Sequence, residues 1–334
     1  MFRPMRVFVT HNPEDLEAYY GRALPQLEAI AEVVLNTTDR NLSTPELIEA
    51  ASNCDVIVAH RATPGEKAVF EQLPNLLGFL RSAVDISTID VDAASAAGVL
   101  VAHADKSFVP STAELALALL MDTARSVSTS TVDYQNGVQP PQRPGRQLRG
   151  QTAGVIGYGA VGTYLAQLLF DLGMEVLVTD PFVTVEAEGI EQVELAELLG
   201  RSNAVFPMAP ATAETHHLIG EKALAAMQPG ATLINVSRGE LLDEVAVAAA
   251  LDSGHLGALG VDVGMDTDQR PSIALAGRPG VVATPHLGGL TPENADAQAA
   301  STVEQVAAML EGQMPPRTAN PNDATNLLAW WTKR

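Results

Sequence analysis

Short apolar runs alternate with segments of helical period from the start of the chain. Five of these runs have the length and composition of buried strands: MRVFVT, AEVVLN, CDVIVAH, LLGFLRS and VLVAHA. Parallel strands need crossover connections, and helices usually provide them. The alternation therefore predicts a parallel sheet covered by helices.

The same pattern restarts beyond a long amphipathic helix, predicted over residues 111–127, and a polar loop over residues 135–150. Six more runs predict the strands of a second sheet: TAGVIG, MEVLVTD, NAVFPM, ATLINVS, LGALGVDV and GVVATP. A final helical segment, residues 291–312, is expected to return to the first domain. A chain of 334 residues is long enough for two domains. We therefore predict an α/β protein with two doubly wound parallel sheets.

The charge and composition limit the classes of partner. A formal net charge of -20 and a pI near 4.6 argue against nucleic acid and anionic lipid. No apolar run approaches the roughly 20 residues of a membrane span, and MFRPMRVFVT has a strand-like alternation where a signal peptide would have its apolar core. Cys54 is the only cysteine, which excludes an internal disulfide and a multi-cysteine metal site. We expect a cytoplasmic protein without a bound metal, in which Cys54 is a small buried side chain.

A glycine-rich turn in TAGVIGYGAVG follows a predicted strand and opens an amphipathic helix. Gly157, Gly159 and Gly162 have the GxGxxG spacing. The first glycine permits a tight turn, the second lets a pyrophosphate approach the backbone, and the third lets helix and strand pack closely. Asp180 ends the next strand, 18 positions after Gly162, where an acid accepts hydrogen bonds from an adenosine ribose. The pattern predicts a dinucleotide-binding site for NAD.

At this point the chain resembles the D-isomer-specific 2-hydroxyacid dehydrogenases, which include glyoxylate/hydroxypyruvate reductases, phosphoglycerate dehydrogenases and phosphite dehydrogenase. The resemblance covers almost the whole length and rests on LRGQTAGVIGYGAVG, INVSRGELLDEVAVAAALDSGHLGALGVDV and TPHLGG, in that order. It implies a flavodoxin-like substrate-binding domain, residues 1–104 and 290–334, interrupted by a Rossmann NAD-binding domain, residues 105–289. It also implies a homodimer held mainly through elements of the cofactor domain.

The resemblance implies that Arg238, in VSRGE, is the substrate clamp and that His286, in TPHLGG, is the general acid and base. A guanidinium is always charged, and its fork matches the oxygens of a 2-keto acid. An imidazole can donate a proton during reduction and accept one during oxidation. The other histidines are expected to be surface or satisfied core groups, without a metal: His11, His60, His103, His216, His217 and His255.

By the same resemblance, the cofactor is expected to contact the glycine turn and the segments after the neighbouring strands. Asp262, in GVDV, matches the aspartate that accepts a hydrogen bond from the nicotinamide carboxamide. Pro210 and Thr215 fall in a cofactor-flanking loop, APATAET. The full set of expected cofactor contacts is Gly157, Tyr158, Gly159, Ala160, Val161, Gly162, Asp180, Pro210, Thr215, Val236, Ser237, Asp262 and Gly288.

One departure from the family concerns the partner of His286. A glutamate usually stands 29 positions after the arginine and hydrogen-bonds the histidine, whereas this chain has Thr267 there. A threonine hydroxyl cannot stabilise an imidazolium as an anion does. We predict that the carboxylate of Asp268 replaces the glutamate. Asp266, and a solvated acidic loop that leaves His286 unpaired, stay open as alternatives.

A second departure lies in RSAVDIS, residues 81–87, in the first domain. The family's loop at this place presents backbone N–H groups to the substrate carboxylate, so Ser82, Ala83 and Val84 are expected to line the substrate. Ala83 and Asp85 replace usual glycines, and their bulk and charge could narrow the specificity. Asp85 is equally well explained as a solvated loop residue.

These observations favour an NAD-dependent oxidoreductase that transfers a hydride between the nicotinamide and a small 2-keto or D-2-hydroxy acid. Two alternatives stay open: a phosphite-type dehydrogenase on the same framework, and a non-catalytic interaction protein that senses dinucleotides. The presence of both Arg238 and His286 favours an enzyme, whereas the absence of the glutamate is compatible with the sensor. The pattern does not identify the acid, because the pocket is built from loops.

Overall fold

The computed structural model describes residues 3–333, and these divide into two compact units. The first unit combines the chain up to Ser107 with the chain from Pro292 onward, and the second unit is Phe108–Thr291. The boundaries expected from the sequence, after residues 104 and 289, lie three and two residues before these.

The first unit contains a five-stranded parallel sheet in the order β2-β1-β3-β4-β5. All five predicted runs form it: β1 Arg6–Val9, β2 Glu32–Leu35, β3 Val56–Ala59, β4 Gly78–Arg81 and β5 Leu100–Ala102. The strand order reverses between the neighbouring strands β1 and β3. In sheets of this type, ligands bind in the crevice outside the carboxyl ends at such a reversal.

The second unit contains a seven-stranded parallel sheet in the order β12-β11-β10-β9-β6-β7-β8. Its strands are β6 Thr152–Ile156, β7 Glu175–Thr179, β8 Ile190–Gln192, β9 Ala204–Pro207, β10 Ala231–Asn235, β11 Leu256–Val261 and β12 Val281–Ala283. The six predicted runs are all strands, and the fold class is confirmed. The edge strand β8 was not predicted, because Ile190 is its single buried residue and leaves no apolar pattern.

Helices connect the strands in both units. They are α1 Pro13–Asp15, α2 Leu24–Glu28, α3 Thr44–Ala51, α4 Lys67–Gln72, α5 Val91–Ala96, α6 Val109–Arg125, α7 Val127–Gln135, α8 Ala160–Asp171, α9 Leu195–Arg201, α10 Glu221–Ala226, α11 Glu244–Asp252, α12 Ile273–Ala276, α13 Pro292–Glu311 and α14 Thr325–Thr332. A π-helical turn spans Leu16–Tyr20, and short 3₁₀ turns span Gly239–Leu241, Thr267–Gln269 and Pro321–Asp323. None of the helices within residues 3–333 is long and apolar enough to cross a membrane.

Two of the predicted helices are present with small shifts. The helix predicted over residues 111–127 is α6, which ends where Ser126 adopts a φ of 53°, and α7 begins at the next residue. The segment predicted over 291–312 is α13, and it belongs to the first unit.

Successive residues of a strand point to opposite faces of the five-stranded sheet, and a hydrophobic core lies on each face. Along β1, Val7 and Val9 enter the core that α13 and α14 complete, whereas Phe8 points to the opposite face with Phe70 of α4. Cys54 lies in this second core as a buried free thiol. The seven-stranded sheet is also covered on both faces, by α6 and α8 on one and by α9 and α10 on the other. Doubly wound sheets leave their carboxyl edges open for functional residues.

Candidate active site

The glycine-rich turn joins β6 to α8 at the carboxyl end of β6. Gly157 has a φ of 100°, and a Cβ there would lie 2.9 Å from the backbone of Met208. A Cβ on Gly162 would lie 2.0 Å from the carbonyl oxygen of Gly157. The fold itself therefore requires both glycines. A Cβ on Gly159 would meet no described atom within 4 Å, so the space in front of this residue is open.

The start of α8 has the donors that a pyrophosphate needs. Gly159 is the N-cap and has no side chain to cap the helix, so the N–H groups of Ala160, Val161 and Gly162 in its first turn keep their capacity to donate. The dipole of this 12-residue helix adds a partial positive charge at the same end. Open space and unused donors together fit a dinucleotide phosphate.

Asp180, directly after β7, fixes the glycine turn. Its Oδ2 accepts the N–H of Tyr158 at 2.7 Å, and its Oδ1 accepts the N–H of Phe182 at 2.8 Å. The carboxylate is partly exposed and each oxygen has a further lone pair, so it can also accept a ribose hydroxyl.

The remaining residues expected at the cofactor lie after β9, β10 and β12 of the same sheet. Thr215 donates to the carbonyl oxygen of Pro210 at 2.6 Å and closes an exposed loop. Val236 is buried and Ser237 half-buried. Gly288 is also buried, and a Cβ there would lie 3.1 Å from a carboxylate oxygen of Asp262.

Arg238 is held by a side chain that sequence reasoning missed. Asn235, fully buried at the end of β10, accepts the N–H of Ser237 at 3.1 Å and donates to the carbonyl oxygen of Arg238 at 2.8 Å. The guanidinium itself is exposed, and among the described residues it makes one hydrogen bond, to the carbonyl oxygen of Ser237 at 2.7 Å. Its other donors stay free for a bidentate ligand. An asparagine that ends an apolar run, as in LINVSRGE, is the signal that indicates such a turn.

The loop that carries His286 is attached to Asp262, directly after β11. The Asp262 carboxylate is fully buried and accepts three hydrogen bonds, from the hydroxyl of Thr284 and the N–H of Leu287 at 2.7 Å each, and from the N–H of Gly288 at 2.8 Å. Its carbonyl oxygen accepts the N–H of His286 at 2.9 Å. Asp262 therefore determines the path of this loop.

The cofactor contact expected of Asp262 stays a prediction. The sequence assigned its carboxylate to the nicotinamide carboxamide, but the side chain has no exposed surface and is surrounded by donors of its own chain. The reason is that residues 284–288 fold back over the end of β11. The observed role of Asp262 is to anchor the His286 loop.

The expected ion pair between His286 and Asp268 is not formed. The carboxylate of Asp268 pairs with Arg270 at 3.4 Å, and it is the main-chain carbonyl oxygen of Asp268 that lies 2.9 Å from Nδ1 of His286. Asp268 and Gln269 have φ values of 58° and 57°, a conformation that the position of Asp268 beside Thr267 does not reveal. This left-handed turn brings the carbonyl, and not the carboxylate, to the ring.

In the first unit, the loop after β4 has unused donors. The N–H groups of Ala83 and Val84, both half-buried, donate to no acceptor within residues 3–333. Asp85 is exposed and accepts the N–H of Ser87 at 2.8 Å, as expected for a residue of a solvated turn. Successive free N–H groups of this kind are suited to binding an anion.

His11, directly after β1, departs from the expectation of a satisfied core group. The Ser82 hydroxyl donates to the carbonyl oxygen of Ala59 at 3.1 Å, so it accepts from Nε2 of His11 at 3.2 Å. Nδ1 of His11 is then a buried acceptor without a partner among the described residues. Burial, with His60 and Arg81 nearby, lowers the pKa of His11 from 6.5 to about 3.

Residues 117–288 match the family model described as the D-isomer specific 2-hydroxyacid dehydrogenase, NAD binding domain. The chain belongs to the D-isomer specific 2-hydroxyacid dehydrogenase family. It carries that family's NAD-binding domain, and the predicted cofactor, NAD, is confirmed.

Individual relatives agree with this membership. D-3-phosphoglycerate dehydrogenase of Mycobacterium tuberculosis is 35% identical over 82% of this chain and 53% of that protein, so the chain spans about half the length of such relatives. Glyoxylate reductase of Korarchaeum cryptofilum is 32% identical over 94% of this chain and 96% of its own. The structure of TT0316 protein from Thermus thermophilus superimposes with a TM-score of 0.82 at 30% identity, over 94% of this chain and 100% of that one.

We predict that His11 makes the protein less stable in acid. Below pH 6.5 His11 is protonated in the unfolded chain, whereas in the folded protein it stays neutral down to about pH 3. The free energy of unfolding therefore falls by up to about 1.4 kcal/mol for each pH unit in this range. His11→Gln should remove roughly 2 kcal/mol of the loss between pH 7 and pH 5, measured by urea unfolding. The matched variant His103→Gln, at a less buried histidine, should keep the wild-type loss. An unchanged loss in His11→Gln contradicts the prediction.

Proposed function

We propose that the protein is an NAD(H)-dependent oxidoreductase that transfers a hydride between nicotinamide and a small 2-keto or D-2-hydroxy acid. The observation that carries the proposal is the carboxyl edge of the seven-stranded sheet. It combines the open position at Gly159, an exposed guanidinium at Arg238 and an oriented imidazole at His286. A cofactor site, an anion clamp and an acid–base group are the components that this reaction needs.

In the proposed mechanism, Arg238 binds the substrate carboxylate and carbonyl oxygen with its planar fork. During reduction, Nε2 of His286 donates a proton to that carbonyl oxygen, and during oxidation it accepts the proton back. The chemistry that NADH supplies when bound is a hydride for the carbonyl carbon. The guanidinium favours the negative charge that develops on the oxygen in the transition state.

The first unit has main-chain donors of its own. We propose that the free N–H groups of Ala83 and Val84 bind a carboxylate, and that the hydrogen bonds of Ser82 to Ala59 and His11 keep this loop in place. The residues proposed to contact the cofactor are Gly157, Tyr158, Gly159, Ala160, Val161, Gly162, Asp180, Pro210, Thr215, Val236, Ser237 and Gly288.

We predict NADH oxidation with at least one of glyoxylate, pyruvate, hydroxypyruvate and phenylpyruvate, and a loss of roughly a hundredfold in kcat/KM for Arg238→Lys. An ammonium keeps the charge but cannot make the planar two-point contact. Arg278→Lys, at an exposed ion pair with Asp252, is the matched control and should keep wild-type rates. NADH binding without turnover of any acid would overturn the proposal in favour of a dinucleotide-sensing protein.

We predict a preference for NADH over NADPH of roughly tenfold or more in kcat/KM. The Asp180 carboxylate would repel a 2′-phosphate, since like charges at contact distance repel by about 1–4 kcal/mol. The nine residues after it, PFVTVEAEG, contain no lysine or arginine to compensate. Steady-state kinetics with both cofactors measure the preference, and Asp180→Asn should reduce it. An efficiency with NADPH that equals that with NADH rules the assignment out.

We also propose that the protein is a homodimer. α7 has no buried residue, and Val127, Val132, Tyr134 and Val138 each expose more than half of their surface. Exposed apolar groups concentrated in one segment are typical of an interface. Sedimentation should give twice 35.1 kDa for the wild type, and Val132→Asp combined with Tyr134→Asp should shift the mass toward 35.1 kDa. A monomeric wild type would refute the dimer.

A further inference from the structure

His286 is hydrogen-bonded through one ring nitrogen to the main chain of the loop after β11. Its Nδ1 lies 2.9 Å from the carbonyl oxygen of Asp268. A carbonyl oxygen only accepts, so the hydrogen of this bond is on Nδ1. In the neutral ring, Nε2 is then the unprotonated nitrogen, which is the one left for a second partner.

The backbone of this loop is in an uncommon conformation where it meets the ring. Asp268 and Gln269 have φ values of 58° and 57°, and His286 itself has a φ of 62°. Residues with a side chain seldom adopt this region, and two in succession reverse the direction of the carbonyl groups. The loop is closed by the N–H of Gly264, which donates to the carbonyl oxygen of Gln269 at 2.8 Å. Uncommon backbone angles that a loop maintains in this way often serve a site.

The charged groups around the ring are engaged elsewhere. The carboxylate of Asp266 accepts the N–H of the next residue at 2.7 Å, and that of Asp268 pairs with Arg270 at 3.4 Å. The carboxylate of Asp262 accepts hydrogen bonds from the segment that carries His286, but not from its ring. Within residues 3–333, no carboxylate is hydrogen-bonded to this imidazole.

We propose that the main-chain carbonyl of Asp268 positions His286. It takes the role of the family's glutamate, whose position is occupied here by Thr267. This rests on the proposed function, because it takes His286 as the group that transfers the proton. A carbonyl oxygen accepts from Nδ1 in both charge states of the ring, so it holds the ring plane and the tautomer throughout the reaction. It does so without a charge of its own.

Nitrogen-15 NMR of the histidine-labelled protein tests the hydrogen bond without any variant. The His286 signal, assigned by its disappearance in His286→Asn, should show the Nδ1–H tautomer of the neutral ring. An Nε2–H tautomer overturns the proposal. Activity of His286→Asn is a separate readout: if it stays at the wild-type level, the proposed function fails, while the tautomer still decides the positioning role.

Substitutions at Gln269 test the conformation of the loop, because the side chain lies outside the proposed reaction. Gln269→Gly accepts a positive φ freely and should keep both the tautomer and kcat. Gln269→Val disfavours the left-handed region and should lower kcat by roughly tenfold to a hundredfold, with a smaller change in KM and a loss of the Nδ1–H signal. Equal kcat in the two variants, both with wild-type circular dichroism, overturns the proposal.

Asp268→Asn separates the carbonyl from the carboxylate. Asparagine tolerates the left-handed conformation and keeps the carbonyl but has no charge. The Nδ1–H tautomer and the pH profile of the reduction should both stay in place. A shift of that profile to lower pH would identify the carboxylate as the partner and overturn the proposal.

Discussion

The hydrogen bonds to the buried carboxylate of Asp262 are the interaction on which the position of His286 depends. The carboxylate accepts hydrogen bonds from Thr284, Leu287 and Gly288, and each bond to a charged acceptor contributes about 1.5–3 kcal/mol. The left-handed backbone of His286 costs about 1–2 kcal/mol. These bonds hold the segment in a conformation that its backbone angles alone disfavour. An interaction that never touches the imidazole therefore maintains the conformation that presents it.

At the end of the neighbouring strand β10, a neutral side chain also fixes the loop of a functional residue. Asn235 ends β10 as Asp262 follows β11, and the two are joined by the Asp262 N–H, which donates to the Asn235 carbonyl oxygen at 3.0 Å. Both side chains are fully buried and hydrogen-bond main-chain groups of a neighbouring loop, and Asp262 also accepts from the hydroxyl of Thr284. Arg238 and His286 consequently keep polar atoms that the fold does not need. Because a buried polar side chain at the strand end satisfies the main chain of the loop, the exposed side chain on that loop is available for chemistry.

Patterns that depend on composition and spacing were readable from the sequence, whereas those that depend on backbone angles were not. Apolar runs predicted every strand except β8, and the glycine spacing predicted a turn in which Gly157 and Gly162 have no room for a side chain. The carboxylate of Asp268, which was predicted as the partner of His286, pairs with Arg270, and the carbonyl oxygen of Asp268 lies at the ring instead. The positive φ of Asp268 accounts for this arrangement, and the residue types of the loop do not reveal it. The anchoring role of Asp262 was hidden for a related reason, since its donors lie 22 to 26 residues further along the chain.

In the first unit, the hydrogen-bond partners of His11 say more about its role than its burial does. His11 has one ring nitrogen on the Ser82 hydroxyl and another without a partner among the described residues, and an unsatisfied buried group costs about 1–3 kcal/mol. An apolar side chain at this position would avoid that cost. Its bond to Ser82 instead holds the loop in which Ala83 and Val84 have free N–H groups. His11 thus connects an unsatisfied buried nitrogen to a loop with unused donors, and local rules of packing are broken mainly at functional sites.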